Sequence, residues 1–261
     1  MHAYTLMLVC SGFGVALPDS SLDAQRTSKV IRRSSSDSHL EKGQLATYAE
    51  SLHRVRAAET IASNRSVYWR KRLQLPLYQR MVQLVRQYAP RALTVLDVGA
   101  YESPLVAQFD WIPTKVATDV QMRPQVWRHV PGIAFIVGDF MKLKFGTRFD
   151  LVICNQVIEH LQPDSFVERF VRKLAAETEQ TLIVSTTLEM AHGTIMGHVQ
   201  DPISEAEFRG WFRNITAAGA QHKVALAAGE LGTLRVEKTL HRKDTKNIIG
   251  IWTRGGKRPW R

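Results

Sequence analysis

The chain reads as a three-layer α/β sandwich: a seven-stranded, mostly parallel sheet with an antiparallel C-terminal hairpin, preceded by a helical N-terminal extension. Three observations predict it. After Pro90, short apolar runs alternate with helical segments, the pattern of parallel βαβ units. That alternation ends in two strand-like runs joined by the polar stretch His241-Arg242-Lys243-Asp244-Thr245-Lys246, which favours a hairpin. Before Pro90 the apolar residues follow only helical spacing.

In chain order, residues 1–40 read as a targeting or disordered segment. Residues 4–17 have the length of a signal-peptide apolar stretch and are too short to span a bilayer, although no Lys or Arg precedes them. The Arg/Ser-rich stretch 26–38 suits an organelle-targeting peptide; without either signal the expected location is cytoplasmic. Residues 41–90 form a helical lead-in. Leu45, Tyr48, Leu52 and Val55 share one helical face, and Pro76 opens a second helix carrying Leu77, Met81, Leu84, Val85 and Tyr88, stopped at Pro90. The lead-in is expected to pack on a sheet edge or partly cover a pocket. The main domain, 91–254, has predicted strands at 93–98, 115–119, 134–137, 149–154 and 181–186, and helices near 104–109, 163–177 and 204–217. Ser204 and Glu207 form a capping-box pair at the start of the last helix. Strands at 233–240 and 247–253 make the hairpin, and 255–261 is a basic tail.

A hydrophobic content of 44% with 23% charged residues supports a sizeable core. The net charge of +11 and a pI near 9.9 would suit a nucleic-acid partner, but the charge is unevenly placed. Residues 1–90 carry +7 and 235–261 carry +7, while 91–234 carry −3. The basic flanks therefore read as solvated faces, so nucleic acid is a permitted partner and not the favoured one. Two cysteines, Cys10 and Cys154, exclude a disulfide framework and any CxxC metal motif. No stretch is long and apolar enough to predict a membrane span, and no motif speaks to oligomeric state.

The informative residues lie at predicted strand ends. Val95-Leu96-Asp97-Val98-Gly99-Ala100 is a buried strand ending in a tight turn, where Gly99 permits close approach of a ligand to the backbone. Asp119 ends the next strand, placed to take both hydroxyls of a ribose. Gly138-Asp139-Phe140 follows the third strand; a carboxylate there can accept from an adenine amino group while the phenyl ring packs on the base. The fourth segment, Phe149 to Leu161 (FDLVICNQVIEHL), leads an apolar strand into a polar turn aimed at the same crevice.

The ordered series LDVGA, ATDV, VGDF, FDLVICNQVIEHL and LIVSTT resembles the Rossmann-like class I S-adenosylmethionine-dependent methyltransferases, specifically the group with an FDLVxxxxVIEHL segment. The resemblance covers about residues 90–254, and the terminal hairpin matches the reversed last strand of that fold. It implies S-adenosylmethionine as cofactor, with Asp97, Gly99, Ala100 and Tyr101 around its methionine part, Asp119 on the ribose, and Asp139 and Phe140 at the adenine. Asn155, Gln156 and Val157 would line the reacting end. One departure stands out: the family's GxGxG loop is Gly99-Ala100-Tyr101-Glu102-Ser103 here, with Tyr101 in place of the second glycine.

Methyl transfer needs alignment in a dry site, and a base only where the acceptor starts protonated. Glu159, His160, His192 and His198 are the candidates; Glu159 reads as structural, and His198 and then His160 as acceptor contacts. The expected acceptor is a small molecule, with a carboxylate or phosphate favoured by Arg70-Lys71-Arg72. Resemblance to a Mg²⁺-dependent small-RNA 2′-O-methyltransferase family supplies an alternative, in which Glu159, His160 and His198 would match three of four ligands. The fourth position is Gln156, a poor Mg²⁺ ligand, so no metal is expected. An NAD-dependent oxidoreductase lacks its GxGxxG here. A non-catalytic methyltransferase-like binding domain is the remaining alternative, kept open by Tyr101.

Overall fold

The computed structural model describes residues 71–101, 105–120, 132–195, 197–216, 231–242 and 245–255. The expected targeting segment (1–40), the helix begun at Leu45 and nearly all of the basic tail lie outside these residues.

Seven strands form one sheet: β1 (Thr94–Val98), β2 (Thr114–Asp119), β3 (Ile133–Val137), β4 (Phe149–Asn155), β5 (Thr178–Leu188), β6 (Thr233–Arg242) and β7 (Thr245–Thr253). Their spatial order is β3-β2-β1-β4-β5-β7-β6. The pairs among β1 to β5 are parallel, while β7 runs antiparallel between β5 and β6. The central strands are apolar on both faces, as expected of strands covered on two sides. Leu96, Val152, Leu182 and Ile248 point to one core, and Val95, Leu151, Ile153, Ile183, Ile249 and Ile251 to the other.

Helix α1 (Pro76–Tyr88) covers the second face. Pro76 fits its first turn, where no N–H partner is needed, and the helix ends at Ala89, whose N–H reaches Val85 O before Pro90 forbids continuation. Its buried Leu77, Met81, Leu84 and Val85 lie against the sheet, and Arg80 holds Glu237 of β6 at 2.6 Å. The lead-in helix thus packs on a face of the sheet, not on an edge, because its apolar stripe is wide enough to serve as one layer of the sandwich.

On the opposite face lie α2 (Asp164–Ala176), burying Phe166, Val167, Phe170, Val171 and Leu174, and α3 (Glu205–Trp211), burying Phe208 and Trp211. Ser204 and Glu207 make the expected capping box. Two predicted helices are shorter. The segment near 104–109 forms only a 3-10 turn (Leu105–Gln108), with Pro113 soon after. The last helix stops at Trp211 and continues as a 3-10 turn (Arg213–Ile215), where Asn214 and the β-branched Ile215 and Thr216 weaken helix formation. β5 is longer than predicted because pairing with β7 continues to Leu188. Arg254 is buried and caps this end, donating from its guanidinium to Ala175 O and Thr178 O. Among the described residues no helix is long and apolar enough to cross a membrane.

Candidate functional site

The carboxyl ends of β1, β2 and β4 meet where an open α/β sheet offers its crevice. Gly99 leaves β1 with φ +81, and its N–H and that of Ala100 bond Thr118 O at 2.8 and 3.2 Å. A Cβ on Gly99 would overlap the Val157 Cγ2 methyl, so this position requires glycine for both conformation and space. Tyr101, at φ +35, donates its backbone N–H to Asp119 Oδ2 at 3.1 Å. The loop is therefore tied to the carboxylate expected to bind ribose.

A cavity opens here, lined by Gly99, Asp119, Gly138, Asp139, Phe140 and Val157 together with Leu161, Phe166 and Phe170. Asp139 Oδ1 accepts from Met141 N at 3.0 Å, which orients its carboxylate. Phe140 packs edge-on against Phe170, ring centres 5.3 Å apart. The cavity is thus a largely apolar slot carrying one carboxylate at the end of β2 and another just after β3.

Of the predicted cofactor residues, the structure brings Gly99, Asp119, Asp139 and Phe140 to this cavity. Asp97 lies beneath it, buried, with Oδ2 3.4 Å from Val106 N. Burial pushes its carboxyl up to about 7, against backbone hydrogen bonds from Val106 and Leu105, and the nearby Asp119 adds to the rise. Asn155 Oδ1 accepts from the Ser185 hydroxyl, and Gln156 turns away from β4 at φ +58. Asp97, Ala100, Tyr101, Asn155 and Gln156 are not among the residues lining the cavity. Phe166 and Phe170, not singled out in the sequence, also line it; four apart on α2, they share one helical face, a spacing that marks a buried face without telling core from cavity.

A second constellation brings Glu159 and His160 beside His198, 38 positions beyond His160 in the chain. Glu159 is fully buried, its Oε2 accepting from Thr186 Oγ1 at 2.7 Å. His160 Nδ1 lies 2.7 Å from Gly197 O, and His198 Nδ1 lies 2.6 Å from Asp201 Oδ2. The two rings meet edge-on, 4.9 Å between centres. Asp201 in turn accepts from Thr187 Oγ1 at 2.8 Å, and its carbonyl oxygen lies 3.1 Å from His192 Nδ1. Ligand atoms of Glu159, His160 and His198 all lie within 4.8 Å of one another, a spacing that a divalent cation could bridge. Burial opposes a charge on His198, but the Asp201 hydrogen bond and the Glu159 carboxylate outweigh it and hold its pKa above the usual 6.5. Thr186, Thr187 and Asp201 were not singled out in the sequence; the only signal was the polar end of the apolar run LIVSTT and a carboxylate three residues after His198.

Sheet order and the reversed β7 are those of the Rossmann-like fold of class I S-adenosylmethionine-dependent methyltransferases. The comparisons agree. Residues 96–178 match the family model described as a methyltransferase domain, and the chain carries that domain. Among solved structures, the 1,6-didemethyltoxoflavin-N1-methyltransferase of Burkholderia thailandensis, bound to 1,6-didemethyltoxoflavin and S-adenosylhomocysteine, is similar with TM-score 0.55 and 16% identity, over 90% of this chain and 98% of that one. The N-methyltransferase NodS of Bradyrhizobium japonicum WM9, in complex with S-adenosylhomocysteine, is similar with TM-score 0.52 and 13% identity, over 80% of this chain and 98% of that one. At these identities the two structures speak to fold. No curated protein matches the sequence. The matched part of the chain is thus a methyltransferase domain, a domain that uses S-adenosylmethionine.

Proposed function

We propose that the methyl group goes to a small-molecule acceptor held over the carboxyl ends of β4 and β5, beside the cofactor cavity. The observation that carries this reading is the slot itself, with Asp119 and Asp139 at separate places along apolar walls. When bound, the cofactor supplies a methyl group already activated on a sulfonium. The work left to the protein is binding, alignment and exclusion of water. Gly99 admits the ligand close to the backbone, Asp119 accepts from ribose hydroxyls, and Asp139 accepts from the adenine amine. Phe140, Phe166 and Phe170 keep the base dry. Asn155 and Gln156 border the reacting end.

His160 and His198 belong to the acceptor side. His198 is buried and clamped by Asp201, which assigns it to positioning the segment 189–203 rather than to taking a proton. Arg72 lies near enough to oppose protonation of His198, so the lead-in brings a cation to this side, which favours an acceptor with a carboxylate or phosphate. The test is a screen of metabolites and of RNA for release of S-adenosylhomocysteine, with Asp119→Ala as control. Turnover of a small anionic metabolite, lost in the control, is expected. Turnover with RNA alone would overturn the acceptor assignment, and an unchanged rate in Asp119→Ala would remove Asp119 from the ribose.

A further inference from the structure

The α1 side of the sheet changes character at its carboxyl edge. Deeper in, that face is aliphatic, with Leu151, Ile153, Ile183, Ile249 and Ile251 all buried. Side chains alternate along a strand, so Asn155, Ser185, Thr187 and Asn247 continue the same columns. Because β7 is antiparallel, Asn247 near its start pairs with Thr187 near the end of β5, and Thr239 of β6 flanks it on the other side. The neighbours are already engaged: Ser185 donates to Asn155, and Thr187 donates to Asp201. Asn247 is not. It is 0% exposed, and neither its Nδ2 nor its Oδ1 has a hydrogen-bond partner.

A buried amide with both atoms unpaired destabilises a fold, and Ile249 and Ile251, the next positions of the same column, show that isoleucine is accommodated on this face. The fold therefore gives no reason for asparagine at 247. A ligand does. The edge continues to the end of β4, which pairs with β5 through Asn155 and Ser185; there Gln156 leaves the strand with its N–H on Ser185 O and its own Nε2 without a partner. Thr187, the register partner of Asn247, also ties Asp201 and through it His198 to this edge.

We infer that Asn247 is a specificity-determining residue for the methyl acceptor. Its amide presents a donor and an acceptor side by side, and so selects a molecule with the complementary pair on one edge, a carboxamide or a lactam ring. The inference rests on the methyltransferase reading and names the neutral, hydrogen-bonding part of the acceptor.

The experiment is saturation-transfer NMR on the full chain, with and without S-adenosylhomocysteine, using 2-pyridone as probe. N-methyl-2-pyridone, which lacks the donor, is the control. The wild-type chain is expected to contact 2-pyridone and to hold the N-methyl compound at least tenfold more weakly. Asn247→Leu should weaken 2-pyridone at least tenfold, keep its affinity for S-adenosylhomocysteine, and melt no lower than wild type. Asn247→Asp is nearly isosteric but lacks the donor, and should also weaken the probe, which guards against a folding defect in the leucine variant. Equal binding of the two pyridones, or equal probe binding by wild type and both variants, overturns the inference and leaves the amide to water. Bound S-adenosylhomocysteine without any probe contact overturns this inference alone. A wild-type chain that contacts the probe but not S-adenosylhomocysteine overturns the methyltransferase reading instead.

Discussion

Replacing Gly99 with alanine tests whether the loop after β1 is held as described. Gly99 sits at φ +81, a conformation that costs an L-residue roughly 1–2 kcal/mol. The new methyl would also overlap Val157 Cγ2, on a side chain only 4% exposed and therefore unable to swing into solvent. Overpacking of that kind costs about 1–3 kcal/mol. Gly99→Ala is thus expected to destabilise by about 2–5 kcal/mol, a large share of the 5–15 kcal/mol typical of a domain. Val157→Ala removes the overlapping methyl but leaves the backbone strain. The double variant should therefore recover the overpacking part alone, a coupling of about 1–3 kcal/mol in a double-mutant cycle. Urea unfolding followed by circular dichroism measures all four proteins. Additive losses, or a Gly99→Ala effect under about 0.5 kcal/mol, would refute the packing of Gly99 on Val157.

Three further outcomes follow from the buried charges. Asp97 ionises near 3.8 when unfolded and near 7 when folded, so between about pH 4 and 7 the folded chain holds the extra proton. Stability should therefore fall as pH rises through that window, by on the order of 4 kcal/mol in total, and Asp97→Asn should flatten the slope in pH-dependent unfolding. His198 has a folded pKa above 6.5, so its contribution is complete below that pH and is lost as pH climbs through the folded value; Asp201→Asn should lower the midpoint seen in imidazole NMR titration. A chelator is expected to leave melting temperature and S-adenosylhomocysteine binding unchanged, since Gln156 stands where the fourth ligand would be and Mg²⁺ favours charged oxygen ligands. A metal-dependent rise in melting temperature, abolished by His198→Ala, would instead assign the three side chains to an ion.

How much of this was legible in the chain depended on whether a residue's role is local. The five parallel strands announce themselves because each is an apolar run, and Asp119 and Asp139 stand out because a carboxylate follows such a run directly. Even the inner place of β7 has a sequence trace: Ile248-Ile249-Gly250-Ile251-Trp252 is apolar on both faces, while β6 alternates as an outer strand does. The packing partner of α1 was not readable, since periodicity fixes which face of a helix is buried but not what buries it. Phe166 and Phe170 serve the core and the cavity with the same apolar surface, so no chemical label separates the two roles. Asp201 sits in irregular chain between β5 and α3, where no period exists to flag it, and its bond to His198 exists only once the fold closes. Tyr101 stands in place of a glycine and holds the positive φ that glycine favours, with its backbone N–H on Asp119.

The central claim is that the cavity between β1, β2 and β4 is the cofactor site. Titration calorimetry of the full chain with S-adenosylhomocysteine tests it most directly. One molecule per chain should bind. Asp119→Ala should weaken it about 10- to 100-fold, the worth of a lost hydrogen bond to a charged group of about 1.5–3 kcal/mol. A folded chain that gives no binding heat, or an Asp119→Ala variant that binds as wild type does, would contradict the account.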